Sequence, residues 1–423
     1  ITLQNMWPRR FTLVGLCFLA MVIAYTDRVN ISVAAIQMQD DLGWSDATKG
    51  LVLSSFFIGY FFFQVLGGWL ANRYGGKIVL GIAVILWSGF TLLTPLAAFT
   101  GSLVLLLGAR ILLGVGEASV APAVLNLFSR WVPPDERARA VAFFSSGAIV
   151  GTLFTLLVTG WIIVEFGWPM AFYSFAVLGF IWAVFWFWFV SNSPGEHPDI
   201  TEAELGLLAG VRQDDSRNKD IPWRLIFSHR AAWALIITNF CTNWGLYVAL
   251  AWLPSYFYDT QGISIVGSGL YSMAPWLSMF FAMNIAGWLA DRALAGGMDA
   301  TRLRKIAQTI GLGGSALFLF AAGSAATPLV AVSTMCGALA CLGVCYSGFA
   351  PAALEMAPRH SDILWSISNT FGTIPGIIGV AVTGWLVGIS GTYVAAFALA
   401  AAVHVVGAIV WLLFGTAKEV IRP

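Results

Sequence analysis

Apolar runs long enough for a helix to cross the hydrocarbon core of a bilayer recur along the whole chain. They fall at roughly 11–37, 46–70, 78–97, 103–129, 139–163, 170–190, 230–257, 265–290, 303–323, 328–352, 361–387 and 392–415. The pattern predicts an all-α integral membrane protein with twelve transmembrane helices. A polar segment from Ser191 to His229 separates six spans from six. The expected division is a first bundle over 1–190, a cytoplasmic linker over 191–228 and a second bundle over 229–423. Within the linker, Thr201-Glu202-Ala203-Glu204 has the form of a capping box, and a short amphipathic helix through Leu205–Leu208 should lie along the cytoplasmic face.

The halves share a repeated element. Gly67-Gly68-Trp69-Leu70-Ala71-Asn72-Arg73 ends the second span, and Ala286-Gly287-Trp288-Leu289-Ala290-Asp291-Arg292 ends the eighth. Both contain G-W-L-A-(N/D)-R at equivalent positions, so the halves read as parallel six-helix repeats. The glycine permits close helix approach, and the amide or acid can cap exposed backbone. Gly68, Asn72, Arg73, Asp291 and Arg292 are therefore candidates for a cytoplasmic gate motif.

Basic residues orient the chain, because they collect on the cytoplasmic side. With the N-terminus inside, Arg9, Arg10, Arg73, Lys77, Arg130, Arg137, Arg139 and most others of the 22 fall on that side, including Arg212, Arg217, Lys219, Arg224 and Arg230 of the linker. Lys49 falls outside, and Arg28 and Arg110 remain within the membrane. Both termini are expected in the cytoplasm.

Composition narrows the class further. Of 423 residues, 59% are hydrophobic and 10% charged, with a mean hydropathy of +0.82. Soluble domains carry about 25% charged residues, so lipid is the solvent here. A net charge of +1 excludes a broad nucleic-acid surface. Cys17, Cys241, Cys336, Cys341 and Cys345 all lie in apolar runs and imply no disulfide framework. The first apolar run is too long for a signal-peptide core. Four scattered histidines show no metal spacing, and Gly114-x-Gly116 lies in a membrane helix rather than after a strand. No Walker lysine motif occurs. Neither an enzyme nor a cofactor is expected.

Charges inside the apolar runs carry the chemistry. Asp27 and Arg28 interrupt the first run, and Arg110 and Glu117 the fourth. A charge at mid-bilayer costs at least ~2.5–3.5 kcal/mol, so such residues normally line a pathway. Glu117 lies near the middle of its span and Asp27 about 5 Å outward of the middle of its own. Arg110 precedes Glu117 by ~10 Å along the axis, too far for a direct pair. It shares Asp27's depth, and an Asp27–Arg110 interaction is expected. Arg28 sits about 100° around the helix from Asp27 and is a further candidate substrate contact, with a structural partner as its alternative. Burial raises a carboxyl pKa and a guanidinium lowers it, so a motion that changes either turns Asp27 or Glu117 into a proton carrier. Arg110 can take a substrate carboxylate in bidentate fashion. The structural alternative is that these pairs merely hold helices together. Tyr25, Tyr60, Gln64, Asn243, Tyr247, Ser347 and Asn369 are candidates to line the cavity, with packing or interfacial anchoring as the alternative for each aromatic. Glu355 is expected to snorkel toward the cytoplasm or to pair with Arg359. Gly114, Gly116 and the Thr373-Ile374-Pro375-Gly376 bend read as packing and flexing elements.

These features together resemble the major facilitator superfamily. The first-half loop is similar to its cytoplasmic signature, with Asn72 where an aspartate is usual. Narrower stretches resemble the anion:cation symporter family, which includes bacterial galactonate and hexuronate carriers, sialin and vesicular glutamate transporters. They are Tyr25-Thr26-Asp27-Arg28-Val29-Asn30, Arg110 through Gly116-Glu117-Ala118 to Pro122, Asn243-Trp244-Gly245-Leu246-Tyr247 with Trp252-Leu253-Pro254, and Ser193 to Pro198 with Thr201 and Glu204. The resemblance implies proton-linked roles for Asp27 and Glu117, and substrate contacts for Arg110, Tyr25, Tyr60 and Asn369. Ala148 stands where galactonate carriers have a glutamine, which leaves room for a less polar carboxylate.

The expectation is a proton-coupled symporter of a small organic anion working by alternating access, with protons as the coupling ion and the bilayer as its other partner. A uniporter or antiporter of the same fold, or a solute sensor that does not translocate, is the alternative. A monomer in a bacterial inner membrane is expected, since the outer loops are short and the one sequon, Asn30-Ile31-Ser32, lies in a span.

Overall fold

A computed structural model describes residues 7–209 and 223–421. The expectations on Arg212, Arg217, Lys219 and Arg422 fall outside the described residues. Among those described, twelve helices are long and apolar enough to cross a membrane. They are α1 (Arg9–Leu42), α2 (Asp46–Tyr74), α3 (Gly76–Phe99), α4 (Leu103–Trp131), α5 (Pro134–Phe166) and α6 (Trp168–Phe189), followed after the linker by α7 (Arg230–Gln261), α8 (Ile265–Ala295), α9 (Ala300–Gly323), α10 (Pro328–Met356), α11 (Ser361–Ser390) and α12 (Val394–Phe414). Most ends lie a few residues beyond the apolar runs, because helical hydrogen bonding continues past the point where side chains turn polar.

Four spans are not uninterrupted α-helices, which hydropathy alone does not register. In α4 the first α-helical segment stops at Glu117 and a second begins at Val120. A π-helical turn occupies Thr309–Gly313 in α9. Two-part helices also make up α10, interrupted around Ser347, and α11, interrupted at Gly372-Thr373 with Pro375 in the first turn of its second part. Proline tolerates that position because its missing N–H would be unpaired there anyway.

The chain forms two compact units. The first comprises the described residues of 1–31 and 55–219. The indole N–H groups of Trp182 and Trp186 in α6 donate to the carbonyls of Leu16 and Lys77. The described linker residues up to Ala209 belong to this unit, and a helix runs over Glu202–Ala209. Thr201 Oγ1 accepts from the Glu204 N–H at 3.2 Å, as a capping box requires. The Glu204 carboxylate does not complete that box. It accepts from the backbone N–H groups of Arg9 and Arg10 at 2.9 and 3.0 Å, the unpaired donors at the start of α1. The linker thus caps the first membrane helix.

The second unit comprises 32–54 and the described residues of 220–423. Lys49 is wholly buried in this unit, near the start of α2. Its Nζ donates to Gln39 Oε1 at 3.0 Å and lies 5.3 Å from the Trp252 ring. Glu355 pairs with Arg304 of α9 at 2.7 Å rather than with Arg359, because α9 packs against α10 and brings the guanidinium directly to it. The same guanidinium donates to the Ser347 carbonyl at 2.8 Å, where α10 is interrupted. All five cysteines are free, three of them buried.

Candidate functional site

The functional residues of the first unit gather around α1. Arg28 Nη2 and Nε donate to Glu117 Oε2 at 2.8 and 3.2 Å. The guanidinium carbon lies 4.7 Å from the Tyr25 and Phe56 ring centres and 4.9 Å from that of Tyr60. An arginine stacked on aromatic faces keeps its charge while its hydration shell is stripped. The Arg28 and Glu117 side chains are 8% and 0% exposed, so the pair is enclosed. Arg28 is therefore the arginine that meets the fourth-span carboxylate.

Arg110 and Asp27 are each about 1% exposed, yet they form no ion pair with one another. Arg110 stands 6.0 Å from the Phe56 ring, and its Nε and Nη1 have no hydrogen-bond partner. Glu117 Oε1 and both Asp27 carboxylate oxygens are likewise unpartnered. The expected Asp27–Arg110 contact is not made, because the Asp27 carboxyl lies by the Thr91 and Trp87 side chains of α3 and Arg110 reaches it only through space. Equal depth does not by itself make two side chains converge.

Backbone approach between α2 and α4 sets this arrangement. A Cβ on Gly114 would collide with the Phe56 carbonyl, and one on Gly59 with the Ile111 carbonyl. The missing side chains let the helices touch, which carries Phe56 and Tyr60 up to the guanidinium beside Glu117. Gly116 plays the same part against Trp87 of α3. Gln64 lies one turn beyond Tyr60 on α2 and is partly buried.

In the second unit, Asn243 has a structural task. Its Nδ2 donates to the Gly372 carbonyl at 3.0 Å and to Asn239 Oδ1 at 3.2 Å, while Asn239 donates to Ser368 Oγ at 3.0 Å. Three side chains thereby hold the interruption of α11. Ser347 sits buried at the interruption of α10 under Arg304. Tyr247 is partly buried, and Asn369 is exposed on α11. The structure thus joins Tyr25, Arg28, Tyr60, Arg110 and Glu117 in one cluster, and places Asn243 in a separate network.

The repeated motif is asymmetric. Asn72 Oδ1 accepts from Asn126 of α4 at 3.1 Å, and Asn126 in turn accepts from the Gly76 N–H at 3.2 Å. Gly67, more than Gly68, is the close-packing glycine, pressed on Ser119. Asp291 and Arg292 are exposed, with Arg292 stacked 5.5 Å from Trp288, and Arg73 lies 5.9 Å from Tyr74.

Several contributors escape a reading of charges alone. Phe56 closes the aromatic cage and is legible only as one turn before Tyr60. Asn30 lies one turn after Asp27, and Ser88 and Thr91 are polar positions in an otherwise apolar span. Asn239 is one turn before Asn243. The i, i+3 and i, i+4 spacing was the available signal.

Comparison with known proteins agrees with this architecture. Residues 17–361 match the family model of the Major Facilitator Superfamily. The chain is 39% identical to the ascorbate transporter, chloroplastic, of Arabidopsis thaliana over 98% of its own length and 76% of the relative's. It is 40% identical to sodium-dependent phosphate transport protein 1, chloroplastic, of the same plant, over 98% and 81%. Sialin of Ovis aries is 34% identical over 96% and 89%. Among solved structures, a D-xylose-proton symporter aligns with a TM-score of 0.76 at 17% identity, covering 98% and 99% of the two chains. A bacterial homologue of the lysosomal transporter Spinster aligns at 0.75 and 17%, covering 96% of each. At such identities the two structures show the fold alone. The chain is a multi-pass membrane transporter of the major facilitator superfamily and belongs, with these anion-transporting relatives, to its anion:cation symporter family.

Proposed function

We propose that this anion transporter is a proton-coupled symporter of a small organic carboxylate. The observation that carries the reading is the enclosed cluster of two acids and two bases in which one ion pair is made and the other is not. Arg28 holds Glu117, while Arg110 keeps two unpartnered guanidinium nitrogens beside the same aromatic ring. A carboxylate entering the site can accept a charge-assisted hydrogen bond from one of those nitrogens. Its arrival adds a negative charge next to Glu117 and Asp27, and like charges in a dry site favour protonation of one of them. Substrate and proton then bind in one cooperative step, which is what symport requires. Tyr25 and Tyr60 supply hydroxyls and ring faces for the rest of the cargo.

Relatives are named for ascorbate and for phosphate, so an ascorbate-like acid and inorganic phosphate belong among the candidate cargoes. Because one relative is named sodium-dependent, sodium is the competing coupling ion. The proposed location is a bacterial inner membrane, with both termini cytoplasmic and the chain acting as a monomer. Plant relatives named as chloroplastic make an organelle envelope the competing location.

Uptake into proteoliposomes tests the reading. The panel spans sugar acids, ascorbate, hydroxy acids, aromatic acids and phosphate, each under an imposed proton gradient, a sodium gradient or neither. Accumulation of a carboxylate under the proton gradient, lost in Asp27→Asn and Glu117→Gln, is the expected result. Accumulation that follows sodium alone, or that persists in both variants, rejects proton symport through these residues.

A further inference from the structure

Five buried polar side chains where α1 meets α3 take no part in the ion pair. Asp27 and Asn30 are one turn apart on α1, and Trp87, Ser88 and Thr91 lie on one stretch of α3. None is more than 1% exposed. Both Asp27 oxygens, both Asn30 amide atoms, the Trp87 indole nitrogen and the Ser88 and Thr91 hydroxyls make no hydrogen bond. Thr91 and Trp87 are within electrostatic reach of Asp27 but outside hydrogen-bond geometry. Ser88, one turn before Thr91, projects into a notch over Gly179 of α6, with Ile23 of α1 alongside.

Buried polar groups are almost always satisfied, by protein or by internal water. Here donors and acceptors from two helices are brought together and left without protein partners, in the proportions that bridging water needs. The indole N–H, the hydroxyls and the amide donate, and the carboxyl and amide oxygens accept. A water held by two to four such groups is a structural element, and it is also a proton conductor. The charged groups facing Asp27 from α4 are Glu117 and Arg110. Gly179 is the contribution of α6 to the notch and brings no charge.

We propose that Asn30, Trp87, Ser88 and Thr91 build an internal hydration site whose water solvates the Asp27 carboxyl and carries its proton, where α1 meets α3 beside the Arg28–Glu117 pair. This rests on the reading of Asp27 as a proton-coupling group and adds the side chains that deliver the proton. The step is a simple transfer: a protonated water breaks one O–H bond as the carboxylate forms one, and the reverse step discharges it. Thr91 and Ser88 are positioning residues in this scheme.

Difference infrared spectroscopy of the substrate-free protein in liposomes, recorded through a pH titration in H2O and D2O, tests the inference without a known cargo. The expected result is a protonated-carboxyl stretch that Asp27→Asn removes, shifted to higher frequency in Thr91→Val and in Ser88→Ala, and restored in Thr91→Ser. Two variants on different turns of α3, each checked by thermal melting, keep misfolding from deciding the outcome. A band that neither variant moves, or a titration without an Asp27 band, overturns the hydration site. In the same liposomes, Thr91→Val should lose proton-driven accumulation yet retain exchange of internal for external anion. Equal loss of both overturns the proton-relay role. Wild-type protein that shows the shifting band but accumulates no anion upholds the hydration site and refutes the symport reading.

Discussion

Around Arg28 and around Asn243, two clusters of buried polar side chains have been built to opposite specifications. The Asn243 cluster is closed: Asn243 donates to the Gly372 carbonyl and to Asn239 Oδ1, Asn239 donates to Ser368, and the result pins the interruption of α11. The neighbouring Arg304 is closed too, bidentate to Glu355 with a further bond to Ser347. Around Arg28 the accounts stay open. One oxygen of Glu117, two nitrogens of Arg110 and the whole carboxyl of Asp27 are buried without partners. A satisfied network fixes a backbone, whereas an unsatisfied one is costly unless something else completes it. Cargo and protons are the natural completion for a transporter. The difference teaches that burial and polarity do not by themselves mark a site, and that unfilled hydrogen-bonding capacity does.

The largest effect should come from opening the one closed contact of the open cluster. Glu117→Gln leaves the Arg28 guanidinium enclosed by three rings without its counter-charge. Removing one member of a buried pair costs ~3–5 kcal/mol. Thermal melting in detergent should fall clearly, and accumulation should vanish. Unchanged melting and uptake would place this pair with the inert surface bridges and erase the contrast.

Next comes the packing that assembles the cage. Gly114→Ala puts a methyl group against the Phe56 carbonyl, and backbone cannot yield as a flexible side chain does. Overpacking of this kind costs ~1–3 kcal/mol. Because the strain lands on α2 beneath Phe56 and Tyr60, the expected signature is lowered stability with a raised apparent KM for the transported anion. Asn243→Ala sharpens the comparison from the other side. It removes donors to Gly372 and Asn239, each bond worth on the order of 1 kcal/mol net. Melting should drop modestly while the apparent KM stays within experimental scatter. A large KM change with no loss of stability would move Asn243 into the substrate path.

Hydropathy alone made the spans legible, because a bilayer-length apolar run leaves the backbone few options besides a helix. The interruptions in α4, α9, α10 and α11 were not legible in the same way, since they depend on hydrogen-bond register and on partners such as Arg304 and Asn243 supplied from other helices. Of the four intramembrane charges, all were visible as residues, and their pairing was not. Depth along the axis suggested Asp27 with Arg110, but azimuth decides which groups meet. Azimuth is set by where glycines such as Gly59 and Gly114 let helices close, a matter of packing between distant segments. Glu204 shows the same limit. Its sequence context reads as a local cap, and tertiary contact directs it to α1.

The smallest expected effect belongs to Asn369, and it bears on the comparison because this residue is neither closed nor enclosed. Its side chain is exposed on α11. Asp362, Ser366 and Asn369 recur at intervals of four and three, so they form one exposed stripe along the first part of that helix. A polar stripe on a membrane helix is poorly suited to lipid and well suited to a water-filled passage. Asn369 is the member deepest in the span whose side chain can reach a solute, since the Ser366 hydroxyl already donates to the Asp362 carbonyl one turn back in its own helix. Asn369→Ala should leave stability within about 0.5 kcal/mol, the range for exposed substitutions. Its effect should appear as a raised apparent KM for polar cargo, with maximal rate preserved and no change for a cargo that offers nothing beyond a carboxylate. A lowered melting temperature without a KM change would assign Asn369 to the scaffold with Asn243, and the line between the two kinds of cluster would then run elsewhere on α11.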